Sequence, residues 1–569
     1  MPASTQSRRR ARPAAPEIPA VPGARDAWLA LLVCAALALF WSWTLSDARA
    51  WGWDESMHAE LPAARMLVAL KQGEPGQAHR ALLECQQYPF VWPLMLCAVQ
   101  AVTDISEHAT RVAGTLAWCA ALFGLFLLGR ELATRLEPRP RGARWLAWAL
   151  LALGALSPLC LAFAGTLFLE VPFACALAWT LRAWVRRDGS ATRELAAGEW
   201  LTIAFFTKFN YGLLLCGGLG LAWLAEAVAA RGELGRFARR SLVLALVPLV
   251  AALWWFVLAN GPEHRAAFLE FLNGNRAFAP TPCATRWMHA ALSLHLGPIV
   301  CALVLVLALV ALVRLRASPV RALACVALAL IVPSWLHPFH LDRFLIPQAL
   351  ALWSLAALGF ALLAWPLRLA TLALFAVGAT GLGREACAER LGYLSADPKT
   401  REYQRAIYAS WRDLSGARPL PTHGLERTTH DALAAAIVRC AGPRERVSWI
   451  GMWNQFSPAA LHLARLSAGM DPQLFLAEAP RRLDLDYFGP GPQETDLAGL
   501  ADLAHASDVV LYGTPSDLGP KRERDGLLRQ AQALQNALGW QAREIARISV
   551  EIPLRPPLEA SLFACRPKP

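Results

Sequence analysis

Long apolar runs alternate with short polar segments over the first two thirds of the chain. Runs close to the length of a membrane span occur at 27–46, 109–129, 145–164, 166–185, 241–260, 288–313, 320–337, 345–365 and 367–383. A transmembrane helix needs about 20 mostly apolar residues. The pattern therefore predicts a mainly α-helical membrane protein that crosses the bilayer many times.

A further apolar run, 199–229, is interrupted by polar residues at 208–212. It fits either one long helix or two short helices that meet at this polar tip. Arginines settle the choice, because they cluster in short loops around 130–144, 182–193, 231–240 and 314–321, and arginine-rich loops stay in the cytoplasm. The second and third clusters flank the run, so the chain crosses there an even number of times. We predict a helical hairpin with Lys208 near its outer tip and about eleven crossings in total, the N-terminus inside and the C-terminus outside.

This topology places four segments on the outer side: 47–108, the turn near 164–168, 261–287 and 337–343. Within the first loop, 57–71 has the spacing of an amphipathic helix lying on the membrane surface. The stretch 88–102 is apolar but short, which is typical of a segment at the interface. The predicted outer face therefore begins with a long, partly helical loop.

The character of the sequence changes near residue 384, where charged residues become common. Segments 447–451 and 508–513 have the pattern of buried strands ending in glycine, and 430–441, 458–468 and 521–538 have helical spacing. Alternating strands and helices predict a small α/β domain outside the cytoplasm. We therefore expect three parts: a disordered cytoplasmic N-terminus (1–26), a transmembrane domain (27–383) and an extracytoplasmic α/β domain (384–569).

Composition agrees with a membrane protein. Of the 569 residues 56% are hydrophobic and only 17% are charged, and the 23 tryptophans suit aromatic belts at both interfaces. The net charge of +12 lies largely in short loops between apolar runs, so topology explains it better than nucleic-acid binding does. The 13 cysteines include no C-x-x-C pair, and a disulfide among Cys387, Cys440 and Cys565 stays open.

Two adjacent carboxylates, Asp54 and Glu55, follow the first apolar run. They come directly after the tryptophans at 51 and 53, a residue type that favours the membrane interface. Acidic groups at a membrane are costly and tend to be kept for function. On the outer face they meet a compartment without nucleotide sugars or ATP. Chemistry at this position therefore needs a donor that the membrane itself delivers.

Further polar residues belong to the same predicted face: His58, Glu60, Glu170, Lys208, His340 and Arg343. Arg343 runs against the trend that keeps basic residues inside. Acids and bases gathered at one membrane face can activate a hydroxyl group and hold a phosphate. These residues are the candidate site.

Several of these residues fall in an ordered set of motifs. The Asp54-Glu55 pair comes first, and Tyr88-Pro89-x-x-x-Pro93-Leu94, Arg111, Glu170 before a proline, Thr207-Lys208 and Arg343-Phe344-x-x-Pro347 follow in order. In this order the chain resembles the C-type glycosyltransferase superfamily, specifically the group of protein O-mannosyltransferases and lipid A aminoarabinose transferases. The resemblance covers roughly 27–383. The chain departs from it at Gln87-Tyr88, where members often carry a basic residue or histidine.

The resemblance implies transfer of a sugar from a polyprenyl-phosphate carrier to a hydroxyl or amine, with inversion, at the outer face. Asp54 would be the general base and Glu55 would orient the acceptor or the catalytic loop. Lys208 and Arg343 would neutralise the departing phosphate. Four further residues, namely His58, Tyr88, Glu170 and His340, would contact substrate, and the resemblance gives Glu60 no role.

The expected partners are a polyprenyl-phosphate sugar, a cell-envelope glycan, lipid or protein as acceptor, and membrane lipid, in the inner (plasma) membrane. No cofactor is required by the sequence. A divalent metal held by Asp54, Glu55, His58 and the histidines of 337–343 stays an alternative, because their spacing is not diagnostic. Two other functions stay open: a flippase of lipid-linked sugars, and a non-catalytic envelope assembly protein.

Overall fold

The computed structural model describes part of the chain. Its residues are 22–44, 55–85, 89–136, 142–157, 160, 163–274, 298–336, 342–379, 427–450, 458–477, 481–483, 497–513, 532–533, 535–536, 539–550 and 558–567. Residues 1–21 of the expected disordered tail, Asp54, Tyr88, His340, Cys387 and most of the predicted helix 521–538 lie outside the described residues. A helix begins at Ala24, so the last three residues of the expected tail (24–26) are helical.

Helices dominate the described residues up to 379. They are α1 (Ala24–Thr44), a π-turn (Ser56–Glu60), α2 (Leu61–Lys71), α3 (Pro75–Leu83), α4 (Val91–Thr103), α5 (Glu107–Arg135), α6 (Ala143–Ala155), α7 (Glu170–Val185), α8 (Ala191–Phe205), α9 (Phe209–Ala229), α10 (Leu234–Leu253), α11 (Gly261–Gly274), α12 (Pro298–Arg314), α13 (Ser318–Leu336), α14 (Ile346–Leu362) and α15 (Trp365–Ala379). A short 3-10 turn, Asp342–Leu345, leads into α14.

Two long apolar helices, α5 and α14, form the centre of the bundle. Helix α5 packs against α1, α6 and α7, and α14 packs against α6, α7, α12 and α13. Nearly every side chain of α14 is buried, including the indole of Trp353. Helices that are apolar on all sides suit the middle of a bundle, because neighbours surround them.

The outer helices expose apolar side chains. On α10, Leu242, Leu246, Leu249 and Leu253 are each more than half exposed. Among the described residues, five helices are long and apolar enough to cross a bilayer, and five shorter ones are also apolar. Such exposed apolar surface is unusual in soluble proteins and suits contact with lipid. The chain is a multi-pass membrane protein; the predicted number of eleven crossings and the orientation of its ends stay predictions.

The interrupted run 199–229 forms two helices. Helix α8 ends at Phe205 and α9 begins at Phe209, and Lys208 between them has an extended backbone. The two helices pack against each other next to the break. The polar tip that the sequence indicated is therefore the point where the helix breaks.

Segment 57–71 is helical as expected, and other parts of the protein cover it. All but four of the side chains of α2 are buried, with Ala63, Ala64 and Ala69 fully enclosed. Helix α4 packs along it from one side, and two helices from the C-terminal part of the chain cover it as well. Its position at the membrane surface stays a prediction.

The C-terminal part holds helices and a five-stranded sheet. Its helices are α16 (Arg427–Cys440), α17 (Pro458–Ser467), α18 (Pro472–Ala477) and α19 (Leu497–His505), and its strands are β1 (Val447–Ile450), β2 (Arg481–Leu483), β3 (Val509–Gly513), β4 (Trp540–Val550) and β5 (Leu558–Pro567). The strand order is β2-β1-β3-β5-β4; β1 is parallel to β2 and β3, whereas β5 is antiparallel to β3 and β4. Strands stand where the sequence predicted them at 447–451 and 508–513.

Arg65 of α2 connects the helical bundle to this C-terminal part. Its Nη2 donates to the backbone oxygen of Leu476 in α18 at 2.7 Å, and its Nη1 pairs with Glu84 at 2.5 Å. Gln473 adds a hydrogen bond of 3.1 Å to Glu74. Helices α17 and α18 therefore rest on the same segment that begins at Glu55.

The described cysteines are free thiols, Cys440 and Cys565 among them. Of the three cysteines considered for a disulfide, only Cys387 lies outside the described residues.

Candidate active site

Glu55 opens the π-turn and is 1% exposed. Its Oε1 accepts a hydrogen bond of 2.9 Å from the backbone N–H of Leu167 and lies 3.4 Å from Nη1 of Arg111. Arg111 also lies 3.3 Å from Glu107, one turn earlier on α5. A buried carboxylate with such partners is held in a fixed orientation, because moving it leaves charged groups without compensation. Glu55 therefore anchors the connection between α6 and α7.

The segment 163–169 is this connection, and it is held from several sides. Trp92 of α4 donates its indole N–H to the oxygen of Leu167 at 3.3 Å, and Arg111 reaches the oxygen of Gly165 at 3.4 Å. Gly114 of α5 lies so close that a Cβ atom there would stand 2.4 Å from the oxygen of Thr166. Only glycine permits this approach, so the segment packs directly against the backbone of α5.

The segment ends at Glu170, the first residue of α7, where the positive end of the helix dipole favours a carboxylate. Glu170 is 1% exposed, and its Oε1 lies 2.5 Å from Nζ of Lys208 and 3.4 Å from Nε of Arg343. Both cations are nearly buried, at 5% and 8% exposure. One carboxylate thus gathers two cations from distant parts of the chain.

Aromatic rings surround these cations. Nζ of Lys208 lies 5.3 Å from the ring centres of both Tyr211 and Phe344, and the guanidinium of Arg343 lies 4.1 Å from the ring of Phe168. The hydroxyl of Tyr211 donates to the oxygen of Phe344 at 3.3 Å, which ties the start of α9 to the start of α14. A low-polarity surrounding strengthens the attraction of the cations for an anion.

Four candidates from the sequence therefore meet at one segment: Glu55 holds its middle, and Glu170, Lys208 and Arg343 cluster at its end. His58 lies half-buried on the π-turn. Asp54, Tyr88 and His340 lie outside the described residues, so their placement stays a prediction. No cluster of three or more His, Cys, Asp and Glu side chains that could hold a metal occurs within the described part of the chain.

Sequence reasoning did not assign Trp92 to the site and gave Arg111 no role. An arginine inside the apolar run 109–129 is an anomaly that pointed to a buried partner. The indole of Trp92 gave no such signal, because tryptophans are frequent throughout this chain. The amide of Leu167 could not be found either, since every residue except proline carries the same group.

Solved structures of similar shape were found at low sequence identity. ArnT from Cupriavidus metallidurans in the apo state matches with a TM-score of 0.57 and 16% identity over 95% of this chain and 98% of that one. The same protein bound to undecaprenyl phosphate matches with a TM-score of 0.56 at 16% identity over the same shares. The arabinofuranosyltransferase AftD from Mycobacteria matches with a TM-score of 0.54 and 13% identity, over 96% of this chain and 40% of that one.

No protein-family model matches the chain, and no curated protein matches it either. The structural neighbours are C-type polytopic membrane glycosyltransferases. The chain therefore has the C-type glycosyltransferase fold, which is the fold that the sequence analysis predicted.

Proposed function

We propose that this protein is a membrane glycosyltransferase that moves a sugar from a polyprenyl-phosphate donor to an acceptor in the cell envelope. The observation that carries the proposal is the trio of Glu170, Lys208 and Arg343. Two nearly buried cations converge on one carboxylate at 2.5 and 3.4 Å, next to the segment that Glu55 holds. The fold is shared with ArnT, which has been solved with undecaprenyl phosphate.

In the proposed reaction, the carboxylate of Asp54 takes the proton of the acceptor hydroxyl or amine. The freed electron pair of the acceptor attacks the anomeric carbon of the sugar. The bond from this carbon to the phosphate oxygen breaks, and polyprenyl phosphate leaves with that electron pair. Attack opposite to the leaving group inverts the anomeric centre.

Lys208 and Arg343 stabilise the charge that develops on the leaving phosphate, an effect typically worth about 3–4 kcal/mol for each well-placed donor. Glu170 keeps these two cations together at the start of α7. Glu55 acts through the backbone, since its carboxylate fixes the amide of Leu167 three residues before Glu170. It is a positioning residue under this proposal, and His58, Tyr88 and His340 are candidates for substrate contact.

The test is transfer of labelled sugar from polyprenyl-phosphate donors in reconstituted membranes, with wild type and Asp54→Asn compared. Label on an envelope acceptor with wild type alone supports the proposal and the role of Asp54. Equal transfer by both proteins keeps the class of enzyme but moves the base elsewhere.

Absence of transfer by either protein across a panel of donors and acceptors, with correct insertion, contradicts the proposal and favours a flippase or an assembly protein. The cell inner membrane, an outward-facing site and a C-terminal extracytoplasmic domain belong to the same proposal. Labelling of single introduced cysteines from each side of intact cells tests that orientation.

A further inference from the structure

Glu60 is a second buried acid on the π-turn, and the proposed reaction does not use it. It closes the turn that Glu55 opens, and it is fully buried. Gln100 of α4 is also fully buried and donates its side-chain N–H to Oε1 of Glu60 at 2.8 Å. The pair therefore connects the π-turn to α4 in a region without solvent.

One oxygen of each side chain in this pair accepts no hydrogen bond from the described residues. Neither Oε2 of Glu60 nor Oε1 of Gln100 has a hydrogen-bond partner among the described residues. The hydroxyl of Thr110 lies beside the Glu60 carboxyl, and it also lies within hydrogen-bond distance of the backbone oxygens of Ser106 and Glu107, at 3.1 and 3.0 Å. A buried oxygen without a donor destabilises the fold, so two in one pair require an explanation.

A single added proton explains both. A carboxylic acid and a primary amide are complementary, because each presents one donor and one acceptor side by side. With a proton on Oε2, Glu60 can donate a hydrogen bond, and Oε1 of Gln100 is an acceptor without a donor among the described residues. We propose that Glu60 is a neutral carboxylic acid that forms a two-bond pair with Gln100 and so positions the π-turn that carries Glu55.

The surrounding charges agree. Arg111 already pairs with both Glu55 and Glu107, so an ionised Glu60 would add a third carboxylate around this guanidinium. Burial, the largest cause, raises the pKa of Glu60 well above its ordinary value, and the charge of Glu107 raises it further; the hydrogen bonds from Gln100 and Thr110 and the charge of Arg111 lower it without cancelling the effect of burial. When Glu60 is neutral, it does not compete with Glu55 for Arg111. Glu55 then keeps the amide of Leu167 in place.

The inference rests on the proposed function only for its effect on catalysis. The first test needs no substrate: infrared spectra of the purified full chain in lipid nanodiscs, wild type against Glu60→Gln. We expect a protonated-carboxyl stretching band that shifts in D₂O and is absent from Glu60→Gln. Loss of a carboxylate band in its place would mean that Glu60 is ionised and would overturn the proposal.

The second test compares substitutions that keep or remove the donor. Glu60→Gln supplies an N–H where the acid supplies its O–H, so we expect its melting temperature to match wild type and its transfer rate to stay within about threefold. Glu60→Leu and Gln100→Leu each remove one partner, so we expect a lower melting temperature and about tenfold slower transfer. The exchanged pair Glu60→Gln with Gln100→Glu restores both.

A merely space-filling role would make Glu60→Leu as good as Glu60→Gln. A charged role would make Glu60→Gln as damaging as Glu60→Leu and would alter the pH profile of transfer. Either result contradicts the proposal. If wild type transfers no sugar, the proposed function fails, while the infrared band and the order of melting temperatures still decide the state of Glu60.

Discussion

Two buried charge networks lie at opposite ends of the same helices, and they differ in composition. At the start of α7 and α9, one carboxylate, Glu170, holds the two cations Lys208 and Arg343. Just beyond the end of α7, Arg187 lies 3.3 Å from Glu194 and pairs with Glu226 of α9, and Arg240 donates to Glu194 at 2.8 Å. Helix α7 separates them by about 24 Å, given its 16 residues.

The second network contains two arginines and two glutamates, which balance each other. It joins α8, α9, α10 and, through Ser318, α13. Such an arrangement holds helices together and has no evident need of a ligand. Among the described residues, the first network brings two cations to one carboxylate, which is the arrangement that we propose as a site for an anion such as a phosphate. The comparison indicates that composition, more than burial, separates the candidate site from a structural ion-pair network.

The largest expected effect comes from Lys208→Met. We expect the transfer rate to fall by about 10²–10³-fold, because one donor to the leaving phosphate is lost. Arg343 still pairs with Glu170 in this variant, but the buried Lys208–Glu170 pair is lost, so we also expect a lower melting temperature. The measurement is initial transfer rate per folded, inserted molecule, with exposed Lys71→Met as the matched control. An equal rate loss in Lys71→Met, or an unchanged rate in Lys208→Met, would contradict the role given to Lys208.

Arg187→Met should lower the stability of the protein without lowering its transfer rate. Removing one partner from a buried ion pair typically costs about 3–5 kcal/mol of stability, and Arg187 and Glu194 have side chains only 4% and 2% exposed. We therefore expect a clearly lower melting temperature and an unchanged rate per folded molecule. The check is thermal unfolding in nanodiscs beside the transfer assay. A rate loss as large as that of Lys208→Met would contradict a purely structural role.

Gly114→Ala tests whether the segment 163–169 must hold its position. The new methyl group would meet the oxygen of Thr166 at 2.4 Å and push the segment away from Glu55. We expect a rate loss of about tenfold or more, since small displacements near reacting groups are costly. Gly129→Ala is the control, because Gly129 lies on the same helix as Gly114. Its methyl group would stand 2.6 Å from the Cα atom of Ala147 on α6, away from the segment 163–169. Both should lose stability, but only Gly114→Ala should lose rate beyond that.

The smallest effect concerns the exposed ion pairs of the sheet. Hydrogen bonds from Arg446 hold the pKa of Asp508 below its ordinary value of 3.8. A lowered pKa stabilises the fold above the ordinary value, and this contribution disappears as pH falls through the folded pKa. Asp508→Asn should therefore be slightly less stable than wild type near pH 6, by under about 1 kcal/mol, and the difference should shrink as the pH falls below the ordinary value of 3.8. A difference that grows toward low pH would reverse this assignment.

The sequence predicted the site in part. The break at Lys208 was visible as polar residues inside an apolar run, and Arg343 was visible as a basic residue on the face where basic residues are rare. The burial of α2 was not predictable, because Arg65 finds its partner Leu476 at a separation of 411 residues. Local spacing carries information about the helix but none about a cover supplied so much later in the chain.

Both backbone polar groups of Leu167 are held by side chains, the N–H by Glu55 and the oxygen by Trp92. Because these contacts involve main-chain atoms, they are insensitive to the identity of the side chain at this position. The side chain of Leu167 is itself only 1% exposed, so apolar residues of similar volume can replace it but polar ones cannot. In an alignment of relatives we therefore expect position 167 to vary among apolar residues, while Glu55 and Trp92 are retained.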